Sequence, residues 1–378
     1  MKNEIKCLSL FSGCGGMDLG FAQNGFEIVA AFDHWLPAIK NHNKNKTLFG
    51  GTKAIHRSLA LNDGEVSLDS LPQVEAILGG PPCQGYSFAG KQNIDDPRNQ
   101  LYLDFKTIVD HLKPKVFLME NVRGLERMAL AEVEESFSKI HYNICVQRVK
   151  AIDLGIPQKR ERVIIVGTPF GQKKFSTPEI LMGGLFGSLL PPSIFETIGD
   201  LPRPLSSKEQ IEETGTYLDD HFFLPLSALE QNFIKHIPNG GAYSDAPRET
   251  LPSRLQKIFD NPIKYKTPRL FPKPRANDAV QTIPASTSPS IGGVIAPDFG
   301  YENERAVLIN CADYTENGIY TSPTASRRFT PREIARLQTF PDEFLFEGSG
   351  SAKTKMIGNA VPVKMAALFA KEIKRQIF

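Results

Sequence analysis

The sequence predicts an α/β fold: a doubly wound, mostly parallel sheet joined to a second, smaller and irregular domain. Two observations carry this reading. In the first third of the chain, short apolar runs alternate with segments of helical periodicity, as strands and crossover helices of a parallel sheet do. From about 170 to 330 that alternation stops, and Pro, Gly, Ser and Thr become frequent without a clean period.

The elements follow in order. Ile5 to Leu10 reads as a strand that leads through a glycine turn into a helix ending near Asn24-Gly25. Glu27 to Phe32 is a second strand, and Val74 to Leu78 a further apolar run closed by Gly79-Gly80. Leu101, Phe105, Ile108 and Leu112 recur at helical spacing. Val116 to Met119 and Arg162 to Val166 are strand-like. Ile180 to Leu190 reads as a connector and 285 to 293 as a loop. Thr330-Pro331-Arg332-Glu333 is a capping box with Pro at the first helical position, for a helix reaching about Gln338. Met365, Ala366, Phe369, Ile373 and Ile377 mark a closing amphipathic helix. The expected division is 1–184 with 345–378 as one domain and 185–344 as the other.

A chain of 378 residues is long for one core and suggests about two domains. No apolar run approaches the length of a membrane span, and Met1 to Lys6 is polar, without a secretory core, so the expected location is the cytoplasm. The formal net charge is +2, so any nucleic-acid surface must be local. Between Leu251 and Ala276, Arg254, Lys257, Lys264, Lys266, Arg269, Lys273 and Arg275 stand against Asp260 alone, which suits a phosphate backbone, although charge alone favours a solvated basic loop. The five cysteines are odd in number and lack the close spacing of a zinc site; neither a disulfide framework nor a metal is expected, and one thiol is a candidate for reactivity.

Four motifs bear chemistry. Phe11-Ser12-Gly13-Cys14-Gly15-Gly16 follows the first strand, where glycines let a ligand approach the backbone. A nicotinamide site would want glycine at 18, which is Asp, while Asp33 follows the second strand where an acid can bind ribose hydroxyls. The pair suggests an adenosyl ligand without a pyrophosphate, with a plain tight turn as the alternative. Gly79 to Ser87 displays Cys83 at a strand end, as a nucleophile or as an inert thiol in a proline turn. Glu120, in Glu120-Asn121-Val122, is a strand-tip carboxylate able to act as a general acid. Arg160 and Arg162 share one face if Gln158 to Arg162 enters a strand, and two guanidinium groups can clamp a carbonyl oxygen, a carboxylate or a phosphate, or simply form surface salt bridges.

The order and spacing of these motifs resemble the DNA cytosine-5 methyltransferase family, in its bacterial, restriction-modification form, along almost the whole chain. Phe11, Gly13 and Gly15 match a Phe-x-Gly-x-Gly turn; Pro82, Cys83 and Gln84 match Pro-Cys-Gln; Asp96, Arg98 and Leu101 match Asp-x-Arg-x-x-Leu. Glu120 to Val122, then Gln158, Arg160 and Arg162, then Arg332 to Pro341 and Gly358 to Pro362 complete the series. Two positions depart: the ribose acid is Asp33 where Glu is usual, and Ser58 stands near where an adenine-contacting acid is expected.

The resemblance implies methyl transfer from S-adenosylmethionine to carbon 5 of cytosine in a specific sequence of double-stranded DNA, without a metal. It implies a covalent adduct of Cys83 with C6 of a flipped-out base, with Glu120 at N3, Arg162 at O2, Arg160 as a further catalytic residue, and a lid from Gln84 to Arg98. Cofactor contacts fall to Phe11, Gly13, Gly15, Gly16, Asp33, Pro81, Leu101, Asn359, Ala360 and Val361. The 185–344 block becomes the target-recognition domain and the rest the catalytic and cofactor-binding domain. The expected enzyme is a monomer, and the family's common pairing with a restriction endonuclease for the same site is expected too. The competing readings are a tRNA cytosine-5 methyltransferase, a catalytically dead DNA-binding module and a small-molecule methyltransferase.

Overall fold

The computed structural model describes residues 4–82, 101–181, 190–206, 220–265, 270–285 and 294–378, apart from the side chains of 126–129, 180 and 265. Two compact units emerge: Met1–Ile156 with Arg160–Leu190 and Ala360–Phe378, and Pro157–Lys159 with Pro191–Asn359.

The first unit holds a seven-stranded sheet. Its strands are β1 (Ile5–Leu10), β2 (Phe26–Asp33), β3 (Ala54–His56), β4 (Ala76–Gly79), β5 (Val116–Asn121), β6 (Tyr142–Lys150) and β7 (Glu161–Pro169), in the spatial order β3-β2-β1-β4-β5-β7-β6. β7 runs antiparallel to both its neighbours, and the other pairings are parallel. The helices are α1 (Gly16–Ala22), α2 (Leu36–Lys44), α3 (Leu101–Leu112), α4 (Arg123–Ser138) and a C-terminal helix, Val363–Ile377. This is the doubly wound, mostly parallel sheet that the alternation predicts. β3 and β6 escape the sequence reading. β3 has three residues, and β6 is an edge strand of half-exposed Asn143, Ile144, Cys145 and Val146, with no continuous apolar face to announce it.

Each face of the sheet carries its own core. Ile5 and Cys7 of β1 belong to the layer that contains Phe21, Met365, Phe369 and Ile373, whereas Leu8 and Leu10 belong to the layer of Phe105, Ile108, Phe117 and Phe137. This is the two-residue alternation of a strand buried on both sides. α1 meets the C-terminal helix at Gly20, where a Cβ would stand 2.6 Å from Ala366 Cβ.

The second unit is built from short pieces, among them the helices Ile194–Ile198, Ala228–Ile234, Ser253–Asp260, Pro331–Leu337 and Gly350–Asn359, and the ribbon Phe299–Glu302 with Arg305–Leu308. Capping boxes start three of them: Ser193 with Glu196, Ser227 with Glu230, and the expected Thr330 with Glu333. Elements this short leave many polar groups inside, and buried ion pairs satisfy them. Arg332 Nη2 lies 2.7 Å from Asp220, Arg327 Nη1 2.7 Å from Glu333, and Lys273 Nζ 2.8 Å from Asp298, which also accepts from Tyr320 at 2.6 Å. Lys273 therefore leaves the basic stretch expected on the surface; Arg254, Lys257, Lys264 and Arg275 are exposed, and Lys266 and Arg269 lie outside the described residues. The units part at Leu190 and Asn359, against the expected 184 and 344. Gln338 Nε2 donates to Ile357 O at 2.9 Å, which ties the segment before Asn359 to the helix Pro331–Leu337.

Candidate active site

The carboxyl edge of the sheet gathers the first unit's chemistry. Leu10 pairs with Phe32 on one side and with Gly79 on the other, and Gly79 pairs with Met119. Phe11, Asp33, Gly80 and Glu120 therefore emerge side by side. β1 and β4 are parallel neighbours whose connections leave in opposite directions, the switch point where doubly wound sheets take their ligands. Because β7 is antiparallel, its beginning reaches the same edge and brings Arg160 and Arg162 with it.

The glycine turn after β1 is held at both ends. Ser12 N–H donates to Phe32 O and Gly15 N–H to Ser12 O, each at 3.0 Å. Phe11, Gly13 and Gly15 all take positive φ, at 56°, 57° and 97°. At Gly13 nothing stands within 4 Å of where a Cβ would be, so the backbone has an open side that a ligand can approach. Asp33 accepts from Gly13 N–H at 2.9 Å and from Trp35 N–H at 2.8 Å. It braces the turn, and its remaining lone pairs stay available for hydroxyl donors. This open, acid-flanked turn fits an adenosyl group carrying a cationic end.

Past β3, Ser58 collects two acids that linear spacing hides. Its Oγ donates to Asp63 at 2.6 Å and its N–H to Glu65 at 2.7 Å. The short loop between them folds both carboxylates back to the strand end, and a search for an acid at position 58 itself misses them.

At the neighbouring tips, Asn121 Nδ2 donates to Pro81 O at 3.1 Å while its Oδ1 accepts from Val122 N–H at 2.8 Å. The chain is thus anchored two residues before Cys83; Cys83 itself, with the expected lid Gln84 to Arg98, lies outside the described residues. Gly80 lies against Glu120: a Cβ there would stand 3.7 Å from Glu120 Oε2, in ordinary contact. Glu120 Oε1 lies 2.8 Å from Arg162 Nε, with side chains 12% and 16% exposed. Arg160 is buried, and burial above all, then the charge of Arg162, pulls its guanidinium down to about 9 against the opposing pull of Glu120. It remains a cation at neutral pH. Two cations and one carboxylate therefore share this corner.

Two of the first unit's described thiols, Cys7 and Cys14, are buried and unsuited to attack. Burial, with the charge of Asp18, pushes Cys7 up, and burial pushes Cys14 up to about 12. Of the remaining expected contacts, Gly16 opens α1, Leu101 opens α3 and Pro81 is buried before the Cys83 loop. Asn359 ends its helix in the second unit, whereas Ala360 and Val361 belong to the first, Val361 in the layer of Met17 and Phe21. Among the described residues no group of three or more His, Cys, Asp or Glu could hold a metal, and no helix is long and apolar enough to cross a membrane.

The family model described as C-5 cytosine-specific DNA methylase matches residues 5–375. Type II methyltransferase M.DdeI of Desulfomicrobium norvegicum is 30% identical over 98% of this chain and 88% of its own length. Type II methyltransferase M.MthTI of Methanothermobacter thermautotrophicus is 32% identical over 98% and 97%. Among solved structures, a prophage-encoded protein from E. coli, described as a DNA modification methyltransferase, superposes with a TM-score of 0.67 at 22% identity, covering 99% of both chains.

Proposed function

Since the chain belongs to the C-5 cytosine-specific DNA methylase family and is a DNA (cytosine-5-)-methyltransferase, we propose that it takes its methyl group from S-adenosylmethionine and works through a covalent bond between Cys83 and C6 of a flipped-out cytosine. The observation that carries this reading is the Glu120–Arg162 pair, set beside the anchored approach to Cys83. N3 and the exocyclic O2 flank C2 on one edge of cytosine, and a carboxyl group and a guanidinium side by side match that edge.

Phe11, Gly13, Gly15, Gly16, Asp33, Pro81, Leu101, Asn359, Ala360 and Val361 are the residues proposed to hold the cofactor, with Asp63, presented by Ser58, as an acceptor for the adenine amino group. When bound, S-adenosylmethionine supplies an electrophilic methyl group. The Cys83 thiolate adds to C6 and pushes electron density toward N3, O2 and C5. Glu120 holds a proton at N3, Arg162 donates to O2, and Arg160 keeps the corner positive as charge develops on the ring. C5, now enamine-like, would take the methyl carbon as that carbon's bond to the sulfonium sulfur breaks and a neutral thioether is left; loss of the C5 proton to a solvent base then restores the double bond and expels Cys83 as its thiolate. Flipping the base out of its stack costs roughly a few kcal/mol.

The second unit is proposed to recognise the target sequence. The helix Ser253–Asp260 buries Leu255 and Ile258 and exposes Arg254 and Lys257, which, with Lys264 and Arg275, suit phosphate contacts. The enzyme is proposed to act as a cytoplasmic monomer with a companion endonuclease for the same site, as the Type II names of its relatives suggest. Bisulfite sequencing of DNA from cells expressing the chain should show protected cytosines in one sequence context. Methylation of tRNA in preference to duplex DNA would overturn the substrate.

A further inference from the structure

Directly behind the glycine turn lies a buried polar group that the methyl-transfer mechanism does not use. Asp18, in the first turn of α1, is fully buried. Its carboxylate accepts from Ser9 Oγ at 2.5 Å and lies 2.9 Å from Nε2 of His42, itself fully buried on α2. An ionised carboxylate only accepts, so Nε2 carries the proton. His42 Nδ1 has no hydrogen-bond partner among the described residues. A buried charge and a half-satisfied imidazole are costly beside an apolar filling of the same volume, which directs attention to what the ring itself touches. It stacks on Phe49, with centroids 4.1 Å apart and planes 21° from parallel. A Cβ on Gly15 would stand 2.6 Å from Phe49 Cζ and 2.9 Å from His42 Cδ2. The two rings are therefore the wall on which the turn closes at Gly15, while its open side is at Gly13 and Asp33 braces it there.

We propose that His42 is a positioning residue for cofactor binding. Asp18 fixes the plane of its ring, the ring and Phe49 fix Gly15 at its positive φ, and Gly15 thereby sets the direction in which the Phe11–Gly13 backbone faces a ligand. This assignment rests on the reading of that turn as the S-adenosylmethionine site.

The test is binding of S-adenosylhomocysteine to the full chain, measured by calorimetry without DNA, with thermal unfolding recorded in parallel. Asp18→Asn/His42→Phe removes the buried charge and its partner together and keeps a ring against Phe49. Asp18→Asn/His42→Ala makes the same electrostatic change and keeps no ring. The first pair is expected to bind within about threefold of the wild type and the second at least tenfold more weakly, both at temperatures where they are folded. Equal affinities in the two folded variants, or affinities that merely track their unfolding temperatures, would overturn the assignment while leaving the cofactor reading intact. A wild-type protein that does not bind S-adenosylhomocysteine would overturn both. Should the alanine pair fail to fold, His42→Gln, which keeps a donor for Asp18 but no ring, is expected to show the same tenfold loss, and wild-type affinity there would overturn the proposal.

Discussion

Glu120 Oε1 and Arg162 Nε stand 2.8 Å apart at the meeting of two antiparallel strands, one ending there and the other beginning. The pairing follows from topology: reversing the direction of β7 delivers a cation to an edge where parallel strands deliver their C-terminal residues. Glu120→Gln keeps the shape of the pair but removes the acid. Turnover is expected to fall about 10²- to 10⁴-fold, the usual weight of a general acid, with S-adenosylhomocysteine affinity within twofold of wild type. Steady-state kinetics with duplex DNA and binding calorimetry check this; near-normal turnover would remove Glu120 from the mechanism.

Two glycines make opposite demands. Gly13→Ala places a Cβ in open space but at a φ of 57°, costing about 1–2 kcal/mol of backbone strain, and puts a methyl group where the cofactor is proposed to approach. Gly20→Ala drives a methyl into Ala366 and the C-terminal helix, an overpacking worth about 1–3 kcal/mol. Cofactor affinity should fall in the first, whereas the second should lose chiefly thermal stability. Equal losses of affinity in both would contradict the placement of the open side at Gly13.

Acid stability should depend on Glu333. Burial would raise its carboxyl group, but the charge and hydrogen bonds of Arg327 overcome this and hold it below its usual 4.5. A carboxylate depressed in the folded state stabilises fully above its unfolded value and loses that contribution as pH falls through the folded one. Stability should therefore drop below about pH 4.5. Arg327→Gln leaves the carboxylate buried without its partner, at a cost of about 3–5 kcal/mol at neutral pH; burial then raises the carboxyl group, so the variant's stability should rise as pH falls from 7 toward 4.5, where Glu333 gives the wild type no slope. Parallel wild-type and variant curves, from urea titrations across that range, would contradict the assignment.

What could be read from the residues alone was decided by whether a signal is local. The glycine turn, the Pro-Cys approach, Glu120 and the Thr330 capping box are local patterns, and each described one sits where the chain pattern leads. Partners are not local. Nothing in the order of residues says that Asp33 accepts from Gly13 N–H, that Ser58 gathers Asp63 and Glu65, or that Lys273, in a run of basic residues, turns inward to Asp298. β6 was invisible for a related reason: at the sheet edge its half-exposed side chains are not obliged to alternate cleanly. The second unit hides its organisation most, because its interior is held by ion pairs between residues up to 112 positions apart, as in Arg332 with Asp220.

The central claim is the covalent route through Cys83, and trapping tests it most directly. Duplex DNA carrying 5-fluorocytosine at the target site should form a complex that survives a denaturing gel. Fluorine at C5 cannot leave as a cation, so the Cys83–C6 bond cannot be released after methyl transfer. The shifted band should require S-adenosylmethionine and vanish in Cys83→Ser, while that variant keeps its cofactor affinity. No shifted band on a duplex that the same preparation methylates when it carries cytosine, or a band undiminished in Cys83→Ser, would contradict the account.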